Sequence, residues 1–318
     1  MRPISFARFR AGCASQPVFA VAGLQLILWG LFKKVVIADN LAPVVDATFR
    51  IAPYAAPMEL VIAVYFFAFQ IYCDFSGYSD MAIGLSLLFG IRLMENFRRP
   101  YLSITTAEFW ASRWHVSLGH WFRDYLYVPL GGSRAGAVRR YANVMAVFIV
   151  SGLWHAGLGY GVGWTFLVWG ALNGLYQWAG LATRILWHRL GEALPVVAKS
   201  TAWRIARIVV TFHLILLSWV FFRADTFEQA LTVLARIWNG LPTLPGLLAT
   251  YPFSFDHQLG AALIGFLVVF EVLDERQPMM RRLEVAPRAV RWAILYSGIC
   301  GLLLLGRWGS QQFIYMQF

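Results

Sequence analysis

Long apolar runs separated by short polar segments recur along the whole chain. Most of the runs are long enough to cross a hydrocarbon layer of about 30 Å as a helix, and they lack the strict alternation of a barrel strand. Because every backbone polar group in lipid must be paired internally, such runs predict membrane helices. The predicted spans are about Val18–Phe32, Met58–Tyr72, Met81–Ile91, Tyr141–Trp154, Trp164–Leu181, Ile205–Phe222, Leu259–Leu273 and Val290–Leu305. The pattern predicts an all-α, polytopic transmembrane helical bundle with about eight membrane elements.

The polar segments between the runs are of three kinds. Residues 95–135 are too polar to span alone, so we expect a re-entrant or interfacial element that is buried in protein or lines a cavity. Residues 184–189 and 226–238 are predicted to lie at the membrane interface as amphipathic helical pieces. Residues 240–256 carry proline and glycine and predict a loop. We treat residues 1–318 as one transmembrane domain.

Composition agrees with a membrane protein. Hydrophobic residues make up 59% of the chain and charged residues 14%, against about 25% charged in soluble domains. The net charge of +11 does not indicate nucleic acid, because basic pairs stand at the ends of apolar runs, where membrane proteins place cytoplasmic charge facing lipid headgroups. These pairs are Lys33-Lys34, Arg98-Arg99, Arg139-Arg140 and Arg281-Arg282. The three cysteines predict neither a disulfide framework nor a metal site, and the N-terminus predicts no cleavable signal peptide.

One histidine lies within a stretch that otherwise has the sequence of a membrane segment. His155 falls in residues 147–170, which contain no Asp, Glu, Lys or Arg. An ionisable group at hydrocarbon depth is costly and is a functional candidate. Burial should lower the pKa of the imidazole and keep it neutral, as a general base requires. The alternative is a core histidine bonded to a helix carbonyl, and the residues alone do not favour either.

Tryptophan and arginine recur at helical spacing in residues 106–132. Trp110, Arg113, Trp114, Ser117 and Trp121 predict a surface for a ligand with a polar head and a long apolar body, or else an interfacial aromatic belt with arginines on headgroups. Thr106 is the predicted N-cap, and Pro129-Leu-Gly-Gly is the predicted stop. His115 and His120 are five residues apart rather than the four that a helical zinc site needs, so no metal is expected.

Two carboxylates, Asp74 and Asp80, follow the second apolar run. A carboxylate in lipid needs a partner, and Arg98, Arg99, Arg113 or Arg123 could supply it. Structural pairing is the favoured interpretation. A proton relay is the alternative.

Long strings of the sequence resemble a known family. FQIYCDFSGYSDMAIGLSLLFGI, ENFRRPYLSITTAEFWASRWHVSLGHWFRDYLYVPLGG, SGLWHAG followed by WTFLVWGALNG, and LSWVFFRADTFEQA are similar to the membrane-bound O-acyltransferase family (MBOAT). The resemblance is to its bacterial branch, which contains the alginate O-acetyltransferase membrane subunits.

The resemblance implies a fold and roles for several residues. It implies a ring of membrane helices around a thin neck, with a donor site on the cytoplasmic side. His155 matches the essential histidine of the family's W-H-G motif and His115 the second histidine of R-W-H-x-S-L, which makes both catalytic candidates. Substrate contacts are expected from the re-entrant wall and from the position where relatives often carry a further histidine, namely Arg113, Trp114, Trp121, Tyr125 and Asn173. Relatives have further membrane helices before the position of Arg2, so N-terminal helices of the family are expected to be missing.

The resemblance and the buried histidines together predict an inner-membrane O-acetyltransferase for an exported, alginate-like polysaccharide. The expected donor is acetyl-CoA or another acyl thioester, bound near residues 92–99 and 139–140, with no tightly held cofactor. His155 would act as general base or carry the acyl group through the neck, and His115 would orient the acceptor or polarise the thioester. Expected partners are membrane lipids, the exopolysaccharide and a periplasmic esterase-like acyltransferase. The alternatives are a transporter or flippase for a lipid-linked sugar and a non-catalytic scaffold of a secretion complex.

Overall fold

The computed structural model describes residues 17–134, 136–157, 163–278, 282–283 and 285–309, and every regular element in these ranges is helical. The α-helices are α1 (Pro17–Leu31), α2 (Asp39–Arg50), α3 (Pro57–Leu88), α4 (Thr106–Glu108), α5 (Val116–Phe122), α6 (Ala137–Ala156), α7 (Trp164–Ala182), α8 (Arg184–Ala193), α9 (Pro195–Ala198), α10 (Thr201–Arg223), α11 (Phe227–Gly240), α12 (Leu244–Thr250), α13 (Phe255–Arg276) and α14 (Arg288–Leu305). Three π-helical segments (Phe32–Ala38, Phe109–Arg113, Arg123–Tyr127) and two 3₁₀ turns (Pro100–Leu102, Leu241–Thr243) complete the described elements. The all-α prediction is confirmed.

Five described helices are long and apolar enough to cross a membrane, which makes the chain a multi-pass membrane protein. They are Ala20–Arg50, Pro57–Leu88, Thr201–Arg223, Phe255–Arg276 and Arg288–Leu305. The number is below the predicted eight for two reasons. Two predicted spans, Met58–Tyr72 and Met81–Ile91, are one continuous helix, α3. The predicted spans Tyr141–Trp154 and Trp164–Leu181 do form helices α6 and α7, but these are not among the five.

The described chain divides into two compact units. The first contains residues 17–43, 69–96 and the described residues between 255 and 309. In it α1 and α3 touch backbone to backbone: a Cβ added at Gly23 would lie 2.6 Å from the Gly84 oxygen, and one at Gly30 would lie 2.5 Å from the Gly77 oxygen. In each of the two helices the contacting glycines are seven residues apart, which is about two turns. They therefore lie on the same face of their helix.

The pair Lys33-Lys34 does not end the first membrane helix, which corrects the prediction that it marks a helix terminus. The helix continues through the π-helical segment Phe32–Ala38 into α2, and both lysines are buried. Lys33 Nζ lies 2.7 Å from an Asp80 carboxylate oxygen. Lys34 Nζ lies 2.7 Å from Asp74 and 2.8 Å from Asp39. The predicted pairing of the two carboxylates is therefore confirmed, with lysine partners that the sequence analysis missed.

The second unit contains residues 44–68 and, apart from the gaps, 97–254. Its centre is a hairpin of α6 and α7, which packs with α10. Arg223, at the end of α10, donates to Asp46 at 2.7 Å.

Three local predictions concern elements of the second unit. Helix α11 (Phe227–Gly240), with Thr226 as its N-cap, is amphipathic, as predicted for residues 226–238. The N-cap of α4 is Thr105, one residue before the predicted Thr106, because the Thr105 hydroxyl accepts from the Glu108 amide at 3.0 Å. Residues 240–256 are not a loop throughout, since they contain α12.

Candidate active site

His155 stands at the end of the α6–α7 hairpin, where the two backbones touch. A Cβ at Gly152 would meet the Phe166 carbonyl oxygen at 2.4 Å, and one at Gly170 would meet the Phe148 carbonyl oxygen at 2.4 Å. This approach presses the last turn of α6 against the first two turns of α7. The imidazole of His155 is consequently 3% exposed.

Aromatic rings surround the His155 imidazole. Its centroid lies 5.4 Å from that of Trp169 and 6.1 Å from that of Phe166, both on α7. Phe222 of α10 approaches it at 5.2 Å. Helices α7 and α10 thus supply these rings around one imidazole, and aromatic carbon provides little solvation for a charge.

His115 is positioned by the polar segment between residues 97 and 134. It precedes α5 in a left-handed backbone conformation, φ 45° and ψ 53°, which costs a residue other than glycine roughly 1–2 kcal/mol. Its ring stacks on Phe97 with centroids 6.3 Å apart. The neighbouring Arg113 bonds to the Glu108 carboxylate at 2.7 Å and to the Arg98 carbonyl at 3.2 Å, which fixes the turn that carries the histidine.

A continuous set of aromatic rings joins the surroundings of the two histidines. Trp114, next to His115, lies 5.0 Å from Trp219 of α10. Trp219 in turn lies 5.2 Å from Phe222 and 6.2 Å from Trp169, the rings that surround His155. Trp219 is 1% exposed and Trp169 is 2% exposed. The two histidines therefore belong to one buried aromatic cluster within the second unit.

Both imidazoles favour the neutral form, and both lie outside the five candidate spans. Burial lowers the pKa of His115 to about 4. Burial, together with the positive charge that His115 would carry, lowers the pKa of His155 to about 3. Two consequences follow: near pH 7 both rings can accept a proton, and the two are close enough for the charge on one to disfavour charge on the other.

The residues predicted to contact substrate lie in different surroundings. Trp114 is buried, and Arg113 makes the internal bonds described above. Asn173 is fully buried: its Oδ1 accepts from Trp110 Nε1 at 2.9 Å, and its Nδ2 donates to the Trp169 carbonyl at 2.9 Å. Trp121 and Tyr125 are half-exposed and have ring centroids 5.3 Å apart. Substrate contact by these five residues stays a prediction.

The hydrophobic pattern of the sequence does not single out the rings that line His155. Phe166, Trp169, Trp219 and Phe222 all fall within apolar runs, where an aromatic side chain ordinarily signals burial alone. The available signal was the tryptophan in each of WTFLVWG and LSWVFFR, since tryptophan carries a polar N–H that needs a partner when buried.

Two further histidines of the second unit are exposed. His213 of α10 is exposed and bonds to the Tyr65 hydroxyl at 2.7 Å, and His188 is exposed beside Glu192. Within the described ranges, no three His, Cys, Asp or Glu side chains are grouped so that they could hold a metal ion.

Comparison with known proteins decides the family. The family model described as membrane-bound O-acyltransferase matches residues 5–222. The chain belongs to the membrane-bound O-acyltransferase family. It is 38% identical over 268 residues to the "Probable alginate O-acetylase AlgI" of Azotobacter vinelandii, covering 84% of this chain and 50% of that protein.

Two further relatives have different names. The chain is 42% identical over 212 residues to the "Peptidoglycan O-acetyltransferase" of Helicobacter pylori, covering 67% of this chain and 38% of the relative. It is 30% identical over 175 residues to the "Teichoic acid D-alanyltransferase" of Streptococcus thermophilus, covering 50% of this chain and 40% of the relative. The chain spans half or less of the length of each of these relatives.

Proposed function

We propose that this protein is an O-acyltransferase of the bacterial inner membrane that moves an acetyl group from a thioester donor toward hydroxyls of an exported polysaccharide. Membership of the family supports acyl transfer. The names of three relatives each describe transfer of an acyl group to a polymer, namely alginate, peptidoglycan or teichoic acid. Alginate-like polymer is the proposed acceptor because the relative with the most extensive match among these three is named for it.

The neutral, buried His155 is the observation that carries the proposal. A general base must hold an open nitrogen lone pair at the working pH, and the lowered pKa of His155 supplies it. The acceptor O–H gives its proton to the imidazole as the oxygen attacks the thioester carbonyl carbon. The C–S bond then breaks, and the departing thiolate takes that proton to become the free thiol. His115 would orient the acceptor or polarise the thioester carbonyl.

The length of α6 favours a donor with a long carrier arm. Arg139 and Arg140 lie in its first turn and His155 in its last, about 22 Å apart at 1.5 Å per residue. Basic side chains at one end suit the phosphates of a nucleotide-type carrier such as acetyl-CoA, and an extended arm would bring the thioester to the other end. The acetyl group would pass to the polymer directly or through a periplasmic esterase-like partner.

The test compares two histidine variants of the protein in proteoliposomes supplied with acetyl-CoA and alginate oligosaccharide. Replacing His155 by alanine should lower the release of free thiol and the incorporation of acetyl by about 10²–10⁴-fold. The matched control is His188→Ala, since His188 is a surface histidine with a 75% exposed side chain, and its rate should equal that of the unmodified protein. A His155→Ala protein that retains the full rate contradicts the proposal.

A further inference from the structure

Two tryptophans of the cluster around His155 have buried indole N–H groups that meet no acceptor in the described ranges. The Nε1 atoms of Trp169 and Trp219 are inaccessible to solvent, and no described residue accepts a hydrogen bond from either. A buried donor ordinarily finds a partner, so each exception in a folded protein needs a physical reason.

Other tryptophans of the same unit show that the fold can satisfy such groups. Trp110 Nε1 donates to Asn173 Oδ1 at 2.9 Å. Trp178 Nε1, on the same helix as Trp169, donates to the Tyr141 carbonyl at 2.8 Å. The two unsatisfied donors are therefore confined to the part of the aromatic cluster that adjoins His155.

One indole contacts the ring of His155, and the other contacts the neighbour of His115. Trp169 meets the His155 ring at 5.4 Å with an interplanar angle of 89°. Trp219 stacks on Trp169 at 6.2 Å and contacts Trp114, the neighbour of His115, at 5.0 Å. The two indoles thus belong to the series of ring contacts that connects His155 with Trp114, the neighbour of His115.

The reaction needs donors at this place. When His155 takes the acceptor's proton, the thioester carbonyl oxygen gains negative charge as the new C–O bond forms. The surroundings of His155 are aromatic, and in such a medium a preorganised N–H donor stabilises developing charge far more than it would in water. In the described part of the chain, the indole N–H groups of Trp169 and Trp219 are two buried donors of this cluster that have no acceptor.

We propose that the indole N–H groups of Trp169 and Trp219 bind the acyl carbonyl oxygen and stabilise its negative charge during transfer, so that both are catalytic residues. This inference rests on the proposed acyl transfer and adds the group that acts on the oxygen. It also gives the unsatisfied donors their acceptor, which is present only when the acyl donor is bound.

The test replaces each tryptophan by phenylalanine, which keeps an aromatic ring and removes the N–H. Trp169→Phe and Trp219→Phe should each lower kcat for thiol release from acetyl-CoA by about 10²-fold or more, with little change in KM. Loss of a hydrogen bond should not lower the thermal stability of either variant in detergent, because the N–H group that is removed has no partner among the described residues. The matched control, Trp178→Phe, should behave in the opposite way, with lower stability and an unchanged kcat per folded molecule.

A second measurement is independent of turnover. In a His155→Ala background, bound acetyl-CoA labelled with ¹³C at the acetyl carbonyl should show a carbonyl infrared stretch at lower frequency than in water-free solvent. Adding Trp219→Phe or Trp169→Phe should move the stretch back to higher frequency. This readout applies even where a variant folds in reduced yield, since it needs only the folded fraction.

The outcomes separate the two proposals. If the unmodified protein releases thiol while both phenylalanine variants retain full kcat and an unshifted carbonyl stretch, the inference about the indoles is wrong and the acyltransferase proposal survives. If the unmodified protein releases no thiol above the His155→Ala level, the proposed function fails, and the role of the indoles fails with it.

Discussion

Burial gives the two imidazoles properties that histidine lacks in water. A neutral ring is ready to accept a proton, yet a pKa of about 3 also disfavours the imidazolium that acceptance creates. In the proposed reaction, a negative charge forms on the acyl oxygen in the same step and offsets that cost. The proposed mechanism therefore requires the proton acceptor and the oxyanion donors to act together.

These pKa values predict that the rate of acyl transfer falls only at unusually low pH. A general-base histidine with an ordinary pKa would lose activity below about pH 6.5, whereas here the neutral form persists down to about pH 4, the pKa of His115. The rate of thiol release per folded molecule should stay level from pH 8 to pH 5. A pH–rate profile on reconstituted protein measures it, and a fall centred near pH 6.5 would contradict the lowered pKa of the histidine that acts as base.

Stability should respond to pH in a different window from activity. The unfolded chain takes up protons on these histidines near pH 6.5, before the folded protein does, so protonation favours unfolding as the pH falls. The stability that the neutral histidine rings contribute to the folded protein is fully present above about pH 6.5. It decreases as the pH falls toward 4 and below. Thermal unfolding in detergent should therefore begin to shift at a pH where the rate per folded molecule is still constant.

Among the elements, the α6–α7 hairpin has the greatest effect on the site. It carries His155 on one helix and Trp169 on the other, and their contact depends on the backbone approach at Gly152 and Gly170. A side chain at either glycine would have to push a carbonyl away rather than displace a flexible group. The glycines therefore determine the separation of the two helices.

Alanine at Gly170 should destabilise the protein and reduce activity. Its Cβ would overlap the Phe148 carbonyl, and overpacking of this kind costs about 1–3 kcal/mol. The forced separation should also lower the rate, because it moves Trp169 relative to His155. Gly180 of the same helix provides the control, since a Cβ there meets nothing within 4 Å, and Gly180→Ala should be neutral or stabilising by about 1 kcal/mol or less. Equal melting temperatures for the two variants would contradict this account.

At the scale of the whole molecule, the lysines are notable because most of them are buried. The sequence contains three lysines, Lys33, Lys34 and Lys199, and the first two lie buried in the first membrane-spanning helix against carboxylates of α2 and α3. Removing one partner of a buried ion pair leaves an uncompensated charge, which is the costly case. These ion pairs give Asp74 and Asp80 a structural role.

Replacing Lys34 by methionine should destabilise the protein by about 3–5 kcal/mol, because the Asp39 and Asp74 carboxylates would lose the ammonium group they share. Lys199→Met is the matched control, since Lys199 is exposed, and it should leave stability within about 0.5 kcal/mol. Thermal unfolding of both variants in detergent measures the difference. A Lys34→Met protein as stable as the control would show that the network is dispensable.

The sequence by itself determined the class of the protein and singled out His155 as a candidate. Apolar runs and low charge suffice for an all-α membrane fold, because lipid forces backbone pairing into helices. His155 was recognisable because few ionisable residues occur in such runs. Long strings shared with relatives were enough to indicate the family.

Only the tertiary structure decided which residues meet. Lys33 and Lys34 are buried because a π-helical segment continues the helix beyond them. The apolar run Val35–Ala38 after the pair was the sequence signal for this continuation. The left-handed turn at His115 and the convergence of Trp169 with Trp219 arise from contacts between residues distant in sequence. Periodicity reports the face a residue occupies, whereas hydrogen bonds and ring contacts between elements depend on how those faces pack.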